Sequence, residues 1–212
     1  MAFLKKIFGY MIFCYSIIVY FTGRWSFKNK KLYDEALAHE RVLFTLWHES
    51  LLSWMIYICS LDGKKMSTII PEGPRTESME TLAHAHGLRT FRTKPDDSPL
   101  KNAVAINMLV KDILSGRNSF IIPDGPSGPK YICKPGVAYI AIKADAIILP
   151  LTIKSYPSIG LNNWDRARIP LPFSRIEVVF GKPIHSSKYK DSKYLAGNIQ
   201  SNLMDITDNV DG

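Results

Sequence analysis

The residues in this 212-residue chain best suited to chemistry are one histidine and one loop rich in glycine and proline. His48 follows an apolar, β-prone run, residues 41–47 (RVLFTLW). An imidazole near its ordinary pKa of about 6.5 can take a proton at neutral pH, so His48 is the leading candidate for a base. A packed, hydrogen-bonded structural histidine fits the same position, and placement alone leaves both roles open. His39, His84, His86 and His185 lie on expected helices or after the last strand and read as surface residues.

The loop lies within residues 119–151, SFIIPDGPSGPKYICKPGVAYIAIKADAIILPL. Pro123, Pro126, Pro129 and Pro135 alternate with Gly125, Gly128 and Gly136, so the segment loses little entropy on ordering and its amides can approach a ligand closely. Gly125, Pro126, Ser127 and Gly128 offer backbone to an oxyanion or a phosphate, and Asp124 is placed to orient a hydroxyl, a base or the loop itself. Lys130 adds positive charge. The alternative is a rigid turn in which Asp124 satisfies nearby amides. The segment matches neither GxxxxGK[ST] nor GxGxxG. Glu72, in the PEGPR turn, reads equally as a ligand or as a helix cap, and Arg92 suits an anionic group or plain solvent. No cysteine or histidine spacing matches zinc, and there is no G-x-S-x-G elbow, so direct transfer assisted by a base fits better than a covalent serine enzyme.

The elements that must carry these residues alternate. Strands are expected at 41–47, 66–70, 88–93, 120–122, 146–153 and 175–180. Helices are expected at 32–40, 50–61 up to Gly63, 75–87, from the cap pair Ser98 and Pro99 to Leu114, and 136–144. This pattern predicts an α/β domain with a mostly parallel sheet covered on both faces, and such sheets keep their sites at the carboxyl ends of the strands. Residues 156–174 read as irregular, and 191–212 as a polar helical tail.

Residues 7–22 (IFGYMIFCYSIIVYFT) carry no charge and would make a helix of about 24 Å, short of the roughly 20 residues that span a bilayer. The chain's net charge is +8, and Lys5, Lys6, Arg24, Lys28, Lys30 and Lys31 flank this run with no acid between residues 1 and 31. Charge concentrated around an apolar segment points to an anionic membrane surface and away from nucleic acid. With basic residues on both sides and no A-x-A-like site, the run reads as an uncleaved anchor that keeps the domain in the cytoplasm. The expected division is an anchor at 1–31, an α/β domain at 32–190 and the tail at 191–212. Cys14, Cys59 and Cys133 have no pairing pattern, in keeping with a reducing compartment.

Four segments together, LWHES (46–50), LRTFRT (88–93), the 121–151 loop region and NWDRARIPLPFSRIEVVFGKPI (163–184), resemble the lysophospholipid acyltransferase superfamily. They look most like its DUF374 branch, which includes secondary acyltransferases of lipid A biosynthesis. The resemblance implies an enzyme of the inner membrane's cytoplasmic side. It would move an acyl chain from an acyl carrier protein or coenzyme A thioester to a lipid hydroxyl, with no cofactor or metal. His48 would be the catalytic base, and Arg92 with residues 124–128 the substrate-binding blocks. The superfamily's acid five residues after the histidine is replaced by Ser53, so Glu49, Glu72 or Asp124 is expected to orient His48. An arginine of the loop block is replaced by Ser127, so Lys130 or Arg92 is expected to supply its charge, and a glycolipid acceptor fits better than glycerol 3-phosphate. A lysophosphatidate acyltransferase and a noncatalytic lipid-binding protein are the other readings.

Overall fold

Alternation along the central strands sorts the core onto two faces of one sheet. In β2 (Val42–Thr45), Val42 and Phe44 join one apolar cluster and Leu43 the other; in β6 (Ile147–Gly160), Leu149 and Ile148 divide the same way. A strand buried on both faces needs apolar residues at every position, which is why these runs show no polar period. The computed structural model describes residues 2–39, 41–61, 65–94 and 99–208. The expected helix stop at Gly63 and cap at Ser98 lie outside them.

The remaining strands are β1 (Arg24–Lys28), β3 (Met66–Pro71), β4 (Arg89–Thr93), β5 (Asn118–Ile121), β7 (Arg168–Phe180) and β8 (Ile184–His185). They form an 8-stranded sheet in the order β1-β7-β6-β2-β5-β3-β4, with β8 beside β6. Among the described residues the pairs β6–β7 and β6–β8 are antiparallel and the others parallel. Helices α1 (Ala2–Thr22), α2 (Lys30–Leu37), α3 (Leu51–Tyr57) and α4 (Thr76–Ala85) supply one apolar cluster, and α5 (Pro99–Leu114), α6 (Pro135–Ala144) and α7 (Ser192–Asp208) the other. The expected α/β class, with a mostly parallel sheet covered on both faces, is the fold observed.

Three local expectations change. The basic flank after the apolar run, expected to belong to the anchor, contains β1, which pairs in parallel with β7 from Arg24↔Arg175 to Lys28↔Val179. The polar tail is a packed helix: Leu195, Ile199 and Leu203 recur at every fourth position and are fully buried, each contributing roughly 2 kcal/mol of apolar burial. The irregular stretch 156–174 is a long hairpin in which Ser158, Ile159 and Gly160 face Pro170, Ile169 and Arg168. Pro170 and Pro172 are tolerated there because β1 reaches β7 only from Arg175 onward, leaving one edge of β7 unpaired.

Helix α1 has two apolar faces. Gly9, Ile12, Ser16 and Val19 dock on the domain, and a Cβ at Gly9 would lie 2.6 Å from the Ser78 carbonyl oxygen. Ile7, Met11, Cys14 and Ile18 occupy the opposite side, with Ile7, Met11 and Ile18 exposed. Against the docked face lies His86, half-buried at the end of α4. The Ser16 hydroxyl donates to the Phe13 carbonyl (2.7 Å) and so accepts from His86 Nε2 (3.2 Å), while Cys59 Sγ lies 3.7 Å from His86 Nδ1. Burial pushes the His86 pKa down to about 4.

In the unfolded chain that ring protonates near 6.5, whereas the folded chain resists protonation until about pH 4. His86 therefore lends stability that is complete above pH 6.5 and is lost as the pH falls from there toward 4. The urea midpoint should drop across that window, and His86→Phe should flatten the drop relative to the parent chain; parallel pH profiles for the two proteins would contradict this.

Candidate active site

The 3-10 turn His48–Ser50 leaves the carboxyl end of β2, next to the end of β5. His48 is thus delivered to the end of the sheet where the Gly/Pro loop begins. The two are in contact: a Cβ on Gly125 would meet His48 Cδ2 at 3.1 Å. The ring is not sealed, its side chain being 23% exposed.

His48 Nδ1 hydrogen-bonds the Asp165 carboxylate, which is almost completely buried. A carboxylate only accepts, so Nδ1 carries a proton, and in the neutral ring the lone pair is then on Nε2. Nε2 meets no partner among the described residues. The acid that orients His48 is therefore Asp165, which sequence reasoning missed, and none of Glu49, Glu72 or Asp124. Asp165 stands 117 residues downstream, at the tip of the β6–β7 hairpin, where Ala167 N–H donates to its Oδ1 (3.1 Å) and Leu161 N–H closes the tip on the Ala167 carbonyl (2.8 Å). Trp164 beside it lies over the imidazole, ring centroids 5.0 Å apart. The available signal was an acid between Trp164 and Arg166 in the WDR string. Ser53, where the superfamily acid was expected, is buried on α3.

Asp124 anchors the loop instead of the ring. Its Oδ1 accepts the His48 backbone N–H (3.0 Å) and its Oδ2 the Tyr131 N–H (3.2 Å). It is wholly buried, and desolvation pushes its pKa up against those two donors. The loop is also pinned by Lys134 N–H on the Pro123 carbonyl (2.9 Å) and by Cys133 N–H on Gln200 Oε1 of α7 (2.9 Å). Burial, then the Asp124 charge, pushes the Cys133 thiol up to about 12, so it is no nucleophile at neutral pH.

Two loop amides expected to face a ligand are turned inward: Gly125 N–H points at the Ile122 carbonyl (3.4 Å) and Gly128 N–H at the Asp124 carbonyl (3.1 Å). Pro126 has no N–H. Ser127 is exposed, and among the described residues its N–H meets no protein acceptor. Ser127 N–H is thus a donor this loop can offer a ligand.

The expected cations are already paired. Lys130 Nζ lies 2.7 Å from Glu49, which also accepts the Tyr131 hydroxyl (3.0 Å). Arg92 forms a two-pronged pair with Glu80 (2.6 Å each) on the outermost strand β4, three strand spacings or about 14 Å from β2. Glu72 is exposed at the end of β3, close enough to support the Arg92 charge. Arg92 and Glu72 are thus not brought to His48. Among the described residues no group of three or more His, Cys, Asp or Glu side chains could hold a metal ion. An apolar recess of about 480 Å³ runs along α1 between Ile7, Met11 and Tyr15, away from His48.

Gly128 has φ +76°, and a Cβ there would sit 2.7 Å from Trp164 Cε3. Gly128→Ala should cost about 2 kcal/mol or more, from left-handed backbone and overpacking together, and Gly125→Ala should cost less. Gly136→Ala, in open space near the start of α6, should be neutral or stabilising. Denaturant midpoints of the three variants test this order; equal midpoints would contradict the packing described.

The fold is similar to that in the crystal structure of the 1-acyl-sn-glycerophosphate (LPA) acyltransferase, PlsC, from Thermotoga maritima. The TM-score is 0.58 over 98% of this chain and 78% of that one, at 13% sequence identity. The uncharacterized protein RP090 of Rickettsia prowazekii (strain Madrid E) is 24% identical over 213 residues, which is 98% of this chain and 93% of that protein. No family model matches the chain. At these identities the likeness establishes the architecture: this chain has the α/β fold seen in that acyltransferase.

Proposed function

We propose that the protein is a membrane-associated acyltransferase that moves a fatty acyl chain from a thioester to a lipid hydroxyl. The observation that carries this reading is His48, held by the buried Asp165 carboxylate with Nε2 free beside the Gly125–Gly128 loop. The fold shared with an enzyme that acts on 1-acyl-sn-glycerophosphate supports the same chemistry.

In this mechanism His48 Nε2 takes the proton of the acceptor hydroxyl as its oxygen attacks the thioester carbonyl. Asp165 stabilises the imidazolium that forms, the Ser127 N–H faces the oxyanion, and the imidazolium returns the proton to the departing thiolate. Carrier protein and coenzyme A thioesters both supply that leaving group. Since Lys130 and Arg92 are each engaged by a glutamate, an acceptor whose reacting hydroxyl lies away from its phosphate, as in a glycolipid such as a lipid A precursor, fits better than lysophosphatidate. The exposed face of α1, a helix with a mean hydropathy of 1.6 over an 18-residue stretch, would lie in the cytoplasmic leaflet of the inner membrane.

Assayed with acyl carrier protein and coenzyme A thioesters against both acceptor classes, His48→Ala should lower turnover by about 10²–10⁴-fold with the fold intact. Asp165→Asn should lower kcat by about tenfold or more with little change in KM, because it spoils the ring's tautomer and leaves the binding surface in place. Near-parental turnover by His48→Ala would refute the mechanism. Transfer to lysophosphatidate alone would refute the glycolipid acceptor.

The anchor is tested on its exposed face, since deleting α1 would also uncover the core around Val19. Met11→Glu and Ile18→Glu should each weaken membrane partitioning by about tenfold. Unchanged partitioning of the double variant would contradict an anchor at this face.

A further inference from the structure

The hairpin that supplies Asp165 has an outer surface the mechanism does not use. Tyr156, Ile159, Leu161 and Phe173 are exposed on it, Phe173 at 70%. Phe173 also has φ +65°, a conformation costly for a bulky residue, so the chain accepts both strain and exposure there. The hairpin flanks α1 directly: Tyr15 donates its hydroxyl hydrogen to the Pro170 carbonyl (2.6 Å) and Phe173 N–H donates to Thr22 Oγ1 (3.3 Å). Phe21, next to Thr22 at the end of α1, is 77% exposed, so apolar side chains are exposed both at this end of the helix and on the hairpin bonded to it.

Charge on this surface is mainly positive, and Glu177, which shares the face of β7 with Arg175, is paired with Lys28 (3.2 Å). Arg24 of β1 and Arg175 of β7 are register partners, and Tyr156 of β6 is the partner of Arg175, so the three side chains stand in a row on one face of the sheet. Both arginines are exposed, and neither meets a carboxylate among the described residues. Two guanidinium groups on directly opposed positions repel unless an anion sits between them. Arg166 and Arg168 at the hairpin tip are exposed too, while the tip's one acid, Asp165, is turned inward to His48.

We infer that the β6–β7 hairpin is a second lipid-contacting element, which seats beside α1 in an anionic bilayer. Ile159, Leu161 and Phe173 enter the interface, and Arg24 with Arg175 takes the phosphate of a headgroup. An apolar rim next to paired arginines matches the boundary between acyl chains and anionic headgroups. Because the same loop carries Asp165 and Trp164, seating it also fixes the height of His48 above the membrane. The inference deepens the acyltransferase reading by placing its catalytic pair at the lipid surface, but its test requires no turnover.

The test uses the full chain carrying Cys14→Ser, with an environment-sensitive fluorophore on Leu161→Cys, or on Val104→Cys of α5 as the control. The proteins are mixed with vesicles of phosphatidylglycerol and phosphatidylethanolamine, or of phosphatidylcholine alone, prepared with brominated acyl chains. The label at 161 should be quenched on the anionic vesicles and the label at 104 should not. Arg24→Gln with Arg175→Gln should cut anionic partitioning by about tenfold and reduce its salt dependence. Binding with the 161 label still in water would overturn the inference and leave the α1 anchor standing. Failure to bind any vesicle would overturn both. A 161 label that responds to an acidic carrier protein and not to lipid would assign the surface to that protein instead.

Discussion

The hydrogen bond between Asp165 and His48 is the constraint on which the site depends. It joins the tip of an antiparallel hairpin to the turn that follows a central parallel strand, two places that share no local sequence. For it to form, β6 must run past the end of β2 and β7 must fold back over it, and the residues from Leu161 to Ala167 must close tightly enough to turn the carboxylate inward. A buried carboxylate without a donor would be strongly disfavoured, so the pairing also keeps the hairpin tip in place. Trp164 and Gly128 complete the arrangement: the absence of a side chain at Gly128 lets the indole close over the loop and the imidazole at once.

The second support is the wholly buried Asp124. By taking the His48 and Tyr131 amides on its two oxygens, it ties the end of β2 to the loop that leaves β5. This division of labour between two aspartates explains why neither can replace the other. One fixes the backbone around the ring, and the other fixes the ring. The arrangement is braced from the far side by α7 through Gln200, so a helix with a polar outer surface contributes to the geometry of the site.

What was legible in the sequence follows the range of the interactions. The order of strands and helices, the parallel sheet and the site at its carboxyl edge follow from apolar runs such as 41–47 and from stops such as Gly87 and Gly116, all of them local signals. His48 and the Gly/Pro loop were found because residue type and position coincide there. The role of Asp165 was not legible, since proline and glycine at 157, 160, 170 and 172 hide the hairpin's period and its partner is far away in the chain. Arg92 was misplaced for a related reason: a strand's end can be read from sequence, but the strand's rank in the sheet cannot, and β4 proves to be at the edge. The apolar character of α1 was plain, whereas its docking through Gly9, Ser16 and Val19 became visible only once α4 was beside it.

The central claim, that Asp165 sets the proton on His48, is tested most directly by nitrogen-15 NMR of the histidine rings at a pH where His48 is neutral. The account predicts an Nδ1-protonated ring with a bare, pyridine-like Nε2, and loss of that preference in Asp165→Asn. A resonance showing His48 protonated at Nε2, or one unmoved by Asp165→Asn, would contradict it.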